Sequence, residues 1–579
     1  MKTAEIEHYL SKEKHAITES PEGTIRSSHK IGNHSIEIVG ILGNGFPHAL
    51  PNYYLCNRQS FGRLAHVGWP TRCTLESNET IEDLGLICSG SSDALALDFN
   101  TPEKVYLAGL TKAIKTFDRA LVDSECNDQE CILEFAGHWN FAVEPVPIIL
   151  FGESPNRITE LVCSRQKTGA KHAKSKPIAL VKSLNSHSKT YWPRRQGEST
   201  DRIKSGKGLL IELSNLPTPP APGESLVQWW TNCLKIQPTD ERKALREKAR
   251  HFRTKELWVI CHARYQDQDI WFALIASSPQ KERTPLAVDF LRNWTFTARR
   301  VEPHTKDYLI PRGGGTAALQ DKSVLLVGCG SVGSIIANSL ASSGIGKLTL
   351  SDHDSFCLDN LYRHSLDMRW DGVLKSHAIA ASLRSKFPFT MFECFETKLL
   401  DFTEDNLKSF DMVIVAIGNS THEFAFNERM IENGIETPVI YTWLEPNGIG
   451  GHAVLAGGDY QNGCHQCNFL IPGGDGERML TPNLNFLKEN QKVTKHLGSC
   501  GSLFLPYSEL DASQTANLAT RLAVRFLLGK TVIGQKISWH GDLDPEDFPE
   551  LRFSDRFYQF ESQLKEIPIQ NPLCKLCSK

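Results

Sequence analysis

DKSVLLVGCGSVGSIIANSLASSGIGKLTLSDHDSFCLDNLYRHSLDMRWDGVLK, residues 321–375, is the stretch around which the rest of the chain is organised. It opens on Val324, Leu325, Leu326 and Val327, an apolar run suited to a strand buried on both faces. Gly328, Gly330 and Gly333 follow at G-x-G-x-x-G spacing, and 334–340 carries the apolar stripe of a helix. A backbone without Cβ lets a phosphate approach the start of that helix, where unpaired N–H groups and the dipole favour negative charge. A second strand at 347–350 ends in Ser351-Asp352-His353-Asp354. An acid therefore stands at a strand tip about twenty residues beyond the glycines, where ribose hydroxyls are usually held. The expected fold of this part is α/β and Rossmann-like.

Asn360, Arg363 and Lys375 then follow Asp352 in D-x₇-N-L-x-R…K order. A hydride-transfer cofactor has no evident use for so many phosphate-seeking side chains beyond the ribose acid, whereas a nucleotide attacked at its α-phosphate does. With these residues the segment 307–579 resembles the ThiF/MoeB and ubiquitin-activating enzyme family. The resemblance implies ATP and Mg²⁺ as cofactors and adenylation of the C-terminal carboxylate of a small β-grasp protein. It implies that Gly328, Gly330, Gly333, Asp352, Asp354, Asn360, Arg363 and Lys375 hold the nucleotide, with Arg363 and Lys375 stabilising charge on the phosphates. Arg312, in DYLIPRGGG, stands where a cation could reach a β- or γ-phosphate, or is a plain surface arginine. The strand expected at 411–416 ends in Gly418-Asn419, where the family carries a magnesium-holding acid. That leaves Asp354, or the ATP phosphates with little protein help, to hold the ion.

Two C-x-x-C pairs, Cys464/Cys467 and Cys574/Cys577, suit the four corners of a closed, structural zinc site. A redox pair is the alternative, but neither pair opens a thioredoxin-like helix. Between them Cys500 sits in a Gly/Ser loop ahead of a helix beginning near Ala512, in a position resembling that of the family's thioester-forming cysteine. The alternative for Cys500 is a small packed loop residue.

The chain has 579 residues, too many for one core, and three domains are expected: 1–156, 157–304 and 305–579. A net charge of −3 argues against a general affinity for nucleic acid or membrane surfaces. No run of eighteen apolar residues or signal peptide is legible, so the sixteen cysteines are expected to be reduced thiols of a cytoplasmic protein.

The first domain reads as a short helix at 4–10, strands at 34–40 and 53–56, a turn flanked by Pro47 and Pro51, and a helix from Pro102. With His66-Val67, Gly85 to Cys88, Asp98 to Pro102 and E-F-x-x-H-W at 134–139, it resembles the divergent bacterial branch of ubiquitin-conjugating enzymes, an α+β fold. That resemblance makes Cys88 the candidate transferring thiol, with Cys73 the second candidate because the gap from His66 to Cys88 is long. Both cysteines being merely buried in a degenerate module is the bland alternative.

Residues 157–304 read as a basic linker (165–207) followed by a small α+β spacer, with strands at 208–213, 257–262 and 270–275 and a helix at 240–250. Taken together, the chain is similar to the fused activating and conjugating enzymes of bacterial defence operons. The partners implied are a ubiquitin-like or tail-bearing protein, a target lysine and, since no inactive second adenylation domain is present, another copy of the chain. A sulfur-carrier adenylyltransferase and a non-catalytic scaffold are the rival readings.

Overall fold

The strands Thr24–Ile31 and His34–Ile41, which bury Ile25, Ile31, Ile36 and Ile38, begin the first sheet of the computed structural model. The structure describes residues 3–75, 77–88, 97–140, 144–152, 157–165, 178–181, 204–473, 476–479, 485–489, 491–496, 503–541 and 543–559. Two units divide the chain, Met1–Thr305 and Lys306–Lys579.

In the first unit six strands pair in the order β1-β2-β3-β4-β6-β5. They are β1 (Ala16–Thr18), β2 (Thr24–Ile31), β3 (His34–Ile41), β4 (Asn52–Leu55), β5 (Thr71–Thr74) and β6 (Thr80–Leu86), and all their pairings are antiparallel. Helix α1 (Thr3–Lys12) contributes Ile6 and Leu10, and α2 (Pro102–Val122) contributes Tyr106, Leu110 and Ala113, to a core with Ile25, Ile36, Ile38, Tyr53 and Leu55. Two short helices follow, α3 (Ser124–Leu133) and α4 (Phe135–Asn140).

The remainder of this unit is a closed barrel in the order β10-β11-β12-β13-β7-β9-β8. Its strands are β7 (Glu144–Phe151), β8 (Ile158–Arg165), β9 (Ile178–Val181), β10 (Lys204–Leu213), β11 (Arg253–Tyr265), β12 (Gln268–Arg283) and β13 (Thr295–His304). The expected α+β spacer is therefore a barrel, and the expected boundary at 156/157 falls inside it. β7, read as part of the first domain, pairs in parallel with β13. Within the stretch read as a basic linker, β9 and the start of β10 are barrel strands. Alternation explains why these strands are apolar on both sides. Leu210, Trp258, Ile260, Ala273 and Ile275 pack with β7, β8 and β9 residues. Their neighbours Leu209, Ile211, Val259, Cys261 and Phe272 pack against α5 (Leu226–Lys235) and α6 (Thr239–His251) through Trp229, Trp230 and Leu245.

In the second unit a seven-stranded sheet runs β16-β15-β14-β17-β18-β19-β24. The strands are β14 (Ser323–Val327), β15 (Lys347–Ser351), β16 (Met391–Phe395), β17 (Met412–Val415), β18 (Val439–Leu444), β19 (Gly450–Ala456) and β24 (Gln535–His540); between the last two, β20 (Leu470–Gly473) pairs with β21 (Gly476–Met479) and β22 (Lys495–His496) with β23 (Leu503–Phe504), both antiparallel. The first five are mutually parallel, and β19 and β24 are antiparallel additions. Helices α7 (Lys306–Arg312), α8 (Ser331–Ser343), α9 (Lys375–Arg384), α10 (Glu404–Lys408), α11 (Ser420–Glu432), α12 (Glu509–Leu527) and the short α13 (Asp555–Tyr558) belong to the same unit. The strand order reverses at β14, between β15 on one side and β17 on the other. In open parallel sheets the crevice beyond the strand ends at such a point is where ligands bind.

Candidate functional site

A cavity of about 480 Å³ opens at that reversal, beyond Val327 of β14, Ser351 of β15 and Ala416 after β17. Gly328, Gly330, Asp352, Asp354 and Lys375 line it. The three glycines have different reasons to be glycine. Gly328 has φ 93°, and a Cβ there would stand 2.6 Å from the Ala416 carbonyl oxygen. At Gly333 a Cβ would stand 1.9 Å from the Gly328 oxygen, so this residue lets α8 pack on the turn and is not itself on the cavity wall. Gly330, the N-cap of α8, has open space where its Cβ would be.

Asp352 is fixed by two backbone donors: Cys329 N–H donates to one carboxylate oxygen at 2.7 Å and Asp354 N–H to the other at 2.8 Å. Lys375, the first residue of α9, is largely buried, and its ammonium lies 3.1 Å from the Asp354 carboxylate. Behind the turn, the His364 ring accepts from Leu366 N–H through Nδ1 (3.1 Å). Its Nε2 then carries the proton and donates to the Cys329 carbonyl at 2.8 Å. Burial holds this imidazole below its ordinary pKa, in the neutral form the two bonds require.

Other expected ligands stand outside the cavity lining. Arg363 and Asn360 belong to the short 3₁₀ turn Leu358–Arg363, and the Arg363 guanidinium lies 5.3 Å above the Tyr507 ring. The Tyr507 hydroxyl in turn donates to the Ser331 hydroxyl at 3.2 Å. Arg312 lies over the ring of its own helix neighbour Tyr308. Conversely, the sequence reading missed the 397–401 segment after β16, and His422 in the first turn of α11, all of which line the cavity. No local motif marks them, because they reach the cavity from the end of β16 and the start of α11, away from the glycine turn.

The Gly418-Asn419 pair lies where expected after β17. Gly418 has φ 64°, and the Asn419 side chain caps α11 by accepting from His422 N–H at 3.2 Å. Asp352, His353 and Asp354 offer ligand atoms within 4.8 Å of one another. Asp354, exposed and already facing Lys375, suits a magnesium ion that takes most of its oxygens from phosphates and water.

Cys464 is the N-cap of the 3₁₀ turn His465–Asn468 and Cys467 lies within it, with their sulfurs 3.8 Å apart. A tetrahedron with Zn–S bonds of about 2.3 Å has S–S edges of about 3.8 Å, so this pair fits two corners of such a site. Cys574, Cys577 and Cys500 lie outside the described residues.

In the first unit the structure brings the His66-Val67 and Gly85-to-Cys88 motifs together. Val67 and Ile87 form an isolated antiparallel bridge, and Cys88 N–H donates to the His66 carbonyl at 2.7 Å. Cys88 is exposed. Cys73, on β5, packs into a small apolar cluster with Val39, Cys56 and Leu84. Of the two, Cys88 is the more exposed and Cys73 is half-buried. Ser89 and Ser91 lie outside the described residues.

Residues 307–496 match the model of the ThiF family. That segment is a ThiF-family domain. The ATP-dependent ubiquitin transferase-like protein Cap2 of Vibrio cholerae is 28% identical over 215 residues, 36% of either chain. The ubiquitin-like modifier-activating enzyme 5 of Dictyostelium discoideum is 28% identical over 185 residues, 28% of this chain and 46% of that protein. The chain thus spans little more than a third of the first relative's length. A crystal structure of E. coli MccB with ATP overlaps 41% of this chain and 64% of that one at 16% identity, with a TM-score of 0.30, too low to carry an argument. The ThiF domain contains the cavity, all three glycines, Asp352, Asp354, Lys375 and the first cysteine pair.

Proposed function

We propose that this chain uses ATP to activate the C-terminal carboxylate of a ubiquitin-like or otherwise tail-bearing protein and passes the acyl group on through thioesters to a target amine. The observation that carries the reading is the placement of Asp352, Lys375 and the Gly328–Gly330 turn on one cavity at the sheet reversal of a ThiF-family domain. In this reading Asp352, its carboxylate already oriented by two N–H groups, takes the ribose hydroxyls, and the start of α8 faces the phosphates. A tail carboxylate oxygen attacks the α-phosphorus; the bond to the bridging oxygen breaks, and pyrophosphate leaves. Lys375 supplies positive charge where negative charge develops. Arg363 joins it by leaving the face of Tyr507. Mg²⁺ entering with ATP would neutralise phosphate charge, with Asp354 as its protein ligand. The Cys500 thiolate then attacks the acyl carbon and AMP leaves; Cys88 takes the acyl group from Cys500 and yields it to a lysine. The Cys500-to-Cys88 step exchanges one thioester for another and is nearly isoenergetic, so positioning is the protein's main contribution there.

Residues 1–156 supply the conjugating function in this proposal and 305–579 the adenylation. Cys464, Cys467, Cys574 and Cys577 would hold Zn²⁺ as a structural clip. The working assembly is a homodimer through 307–579; light scattering that finds a fully active monomer at micromolar concentration counts against it. No helix among the described residues is long and apolar enough to cross a membrane.

ATP–pyrophosphate exchange with candidate small proteins encoded beside the gene tests the reading. Exchange should require the tail's free terminal carboxylate. Gly418 in place of an acid favours a second reading, a scaffold with an inactive pocket, and exchange that fails with every candidate would support it. Exchange without any tail-to-sulfur adduct would instead point to a sulfur-carrier adenylyltransferase.

A further inference from the structure

We propose that the helical segment 124–140 is the positioning device of the Cys88 thiol: a stripe of Asn127, Glu130 and Glu134 holds the 63–66 turn, and the turn holds Cys88. The stripe has i, i+3, i+7 spacing, one face of a helix. From it the Asn127 side chain accepts from Ala65 N–H at 2.8 Å and donates to the Arg63 carbonyl at 3.0 Å. Glu134 accepts from His66 twice, from the backbone N–H at 2.6 Å and from ring Nδ1 at 2.5 Å. Glu130 meets ring Nε2 at 2.5 Å. Together the three side chains hold the backbone of residues 63, 65 and 66 and both nitrogens of one ring.

The turn needs such support. His66 sits at φ 61°, a conformation uncommon outside glycine, and its carbonyl is thereby aimed at Cys88 N–H. Local backbone strain of this kind persists only where surrounding contacts over-determine it. The stripe is itself anchored. Phe135 and Trp139 of α4 belong to the barrel core with Trp229 and Phe272, and Trp139 Nε1 donates to the Arg299 carbonyl at 2.9 Å. The E-F-x-x-H-W motif accordingly faces two ways: its apolar residues are barrel core, while Glu134 and His138 face the segment 66–69 between β4 and β5, His138 with its ring centroid 5.7 Å from that of Trp69. A continuous chain of contacts runs from the barrel through Glu134 and His66 to the backbone of Cys88.

Both ring nitrogens of His66 face carboxylates, so both can donate only in the protonated ring. The bonds to Glu134, with Glu130 adding to them, hold the imidazole above its ordinary pKa against the cost of burial. Burial pushes Glu134 up, but the bonds from His66 outweigh it and keep the carboxyl below its usual range. The other titratable groups acting here are His138, which burial lowers to about 4, and Arg63 and Arg58 beyond it. A histidine with a raised folded pKa stabilises fully at low pH and loses that contribution as pH rises through the raised value. The clamp therefore loosens on the alkaline side, when one carboxylate loses its donor.

That this clamp serves transfer rests on Cys88 being the conjugating thiol; that it holds the Cys88 backbone does not. The test uses the full chain and the Glu130→Gln/Glu134→Gln double variant, with His66→Gly as a second variant that accepts positive φ without strain. Hydrogen exchange should show the Cys88 amide losing protection by ~10-fold or more in the double variant. The parent should lose protection as pH rises, and the double variant should show no such step. With ATP and a tail protein, loading of Cys500 should be unchanged while transfer to Cys88 slows by ~10-fold or more, since misplacement of a nucleophile by about 1 Å is enough for that. Parent-like protection and parent-like iodoacetamide alkylation of Cys88 in both variants would overturn the clamp. Lost protection with parent-like transfer would overturn its positioning role. If Cys88→Ala ligates like the parent, the conjugating reading fails, and amide protection alone then decides whether the clamp exists.

Discussion

In the proposed adenylation Lys375 is the residue on which the chemistry depends most directly, because its ammonium is held at the cavity wall by Asp354 while its side chain is largely buried. Removing one charge aimed at a transferring phosphoryl group typically costs ~10²–10³ in rate. Lys375→Ala should lower tail-dependent pyrophosphate exchange by that factor without altering the melting temperature appreciably; parent-like exchange would remove Lys375 from the site. Asp352 was legible because it ends the strand that follows the glycine turn, as the βαβ geometry dictates, whereas Lys375 was read through the resemblance to the ThiF/MoeB family. Thr397 and His422 were not legible, since they reach the cavity from the ends of separate elements and carry no local pattern. Arg363 and Asn360 were read from the same spacing as Lys375, yet the 3₁₀ turn Leu358–Arg363 places Arg363 on Tyr507 and leaves both off the cavity wall.

At the scale of elements, the turn between β14 and α8 separates folding from binding. Gly333→Ala would drive a methyl group into the Gly328 carbonyl and push α8 off its strand, an overpacking defect of about 1–3 kcal/mol or more. Gly330→Ala meets no protein atom and should fold normally, but its methyl group stands where the cavity receives phosphates, so ATP affinity should fall. Thermal denaturation and calorimetry with ATP separate the two; Gly333→Ala with parent stability, or Gly330→Ala with parent affinity, would contradict these assignments. The cysteine turn gives a second element-scale prediction. Cys464→Ser should reduce zinc content and melting temperature together, because a structural metal contributes its binding energy to the fold. Purified parent protein without zinc by elemental analysis would dismiss the metal. The Rossmann-like elements were legible because each has its own period and caps. The barrel was not: β7 pairs with β13 across some hundred and fifty residues, and such non-local pairing leaves no trace in either strand's own alternation.

For the molecule as a whole, the proposed activation falls in the unit Lys306–Lys579 and the proposed conjugation in the unit Met1–Thr305. The measurement that tests this most directly is a gel of the chain incubated with ATP and its tail protein, run with and without reductant, for the parent, Cys500→Ala and Cys88→Ala. Cys500→Ala should exchange pyrophosphate but form no reductant-sensitive adduct. Cys88→Ala should hold the adduct on Cys500 and leave the acceptor lysine unmodified. If Cys73→Ala stalls in its place, the conjugating thiol moves to Cys73. If every single and double variant of Cys500 and Cys88 ligates as the parent does, the acyl group does not travel through these thiols and the account is contradicted.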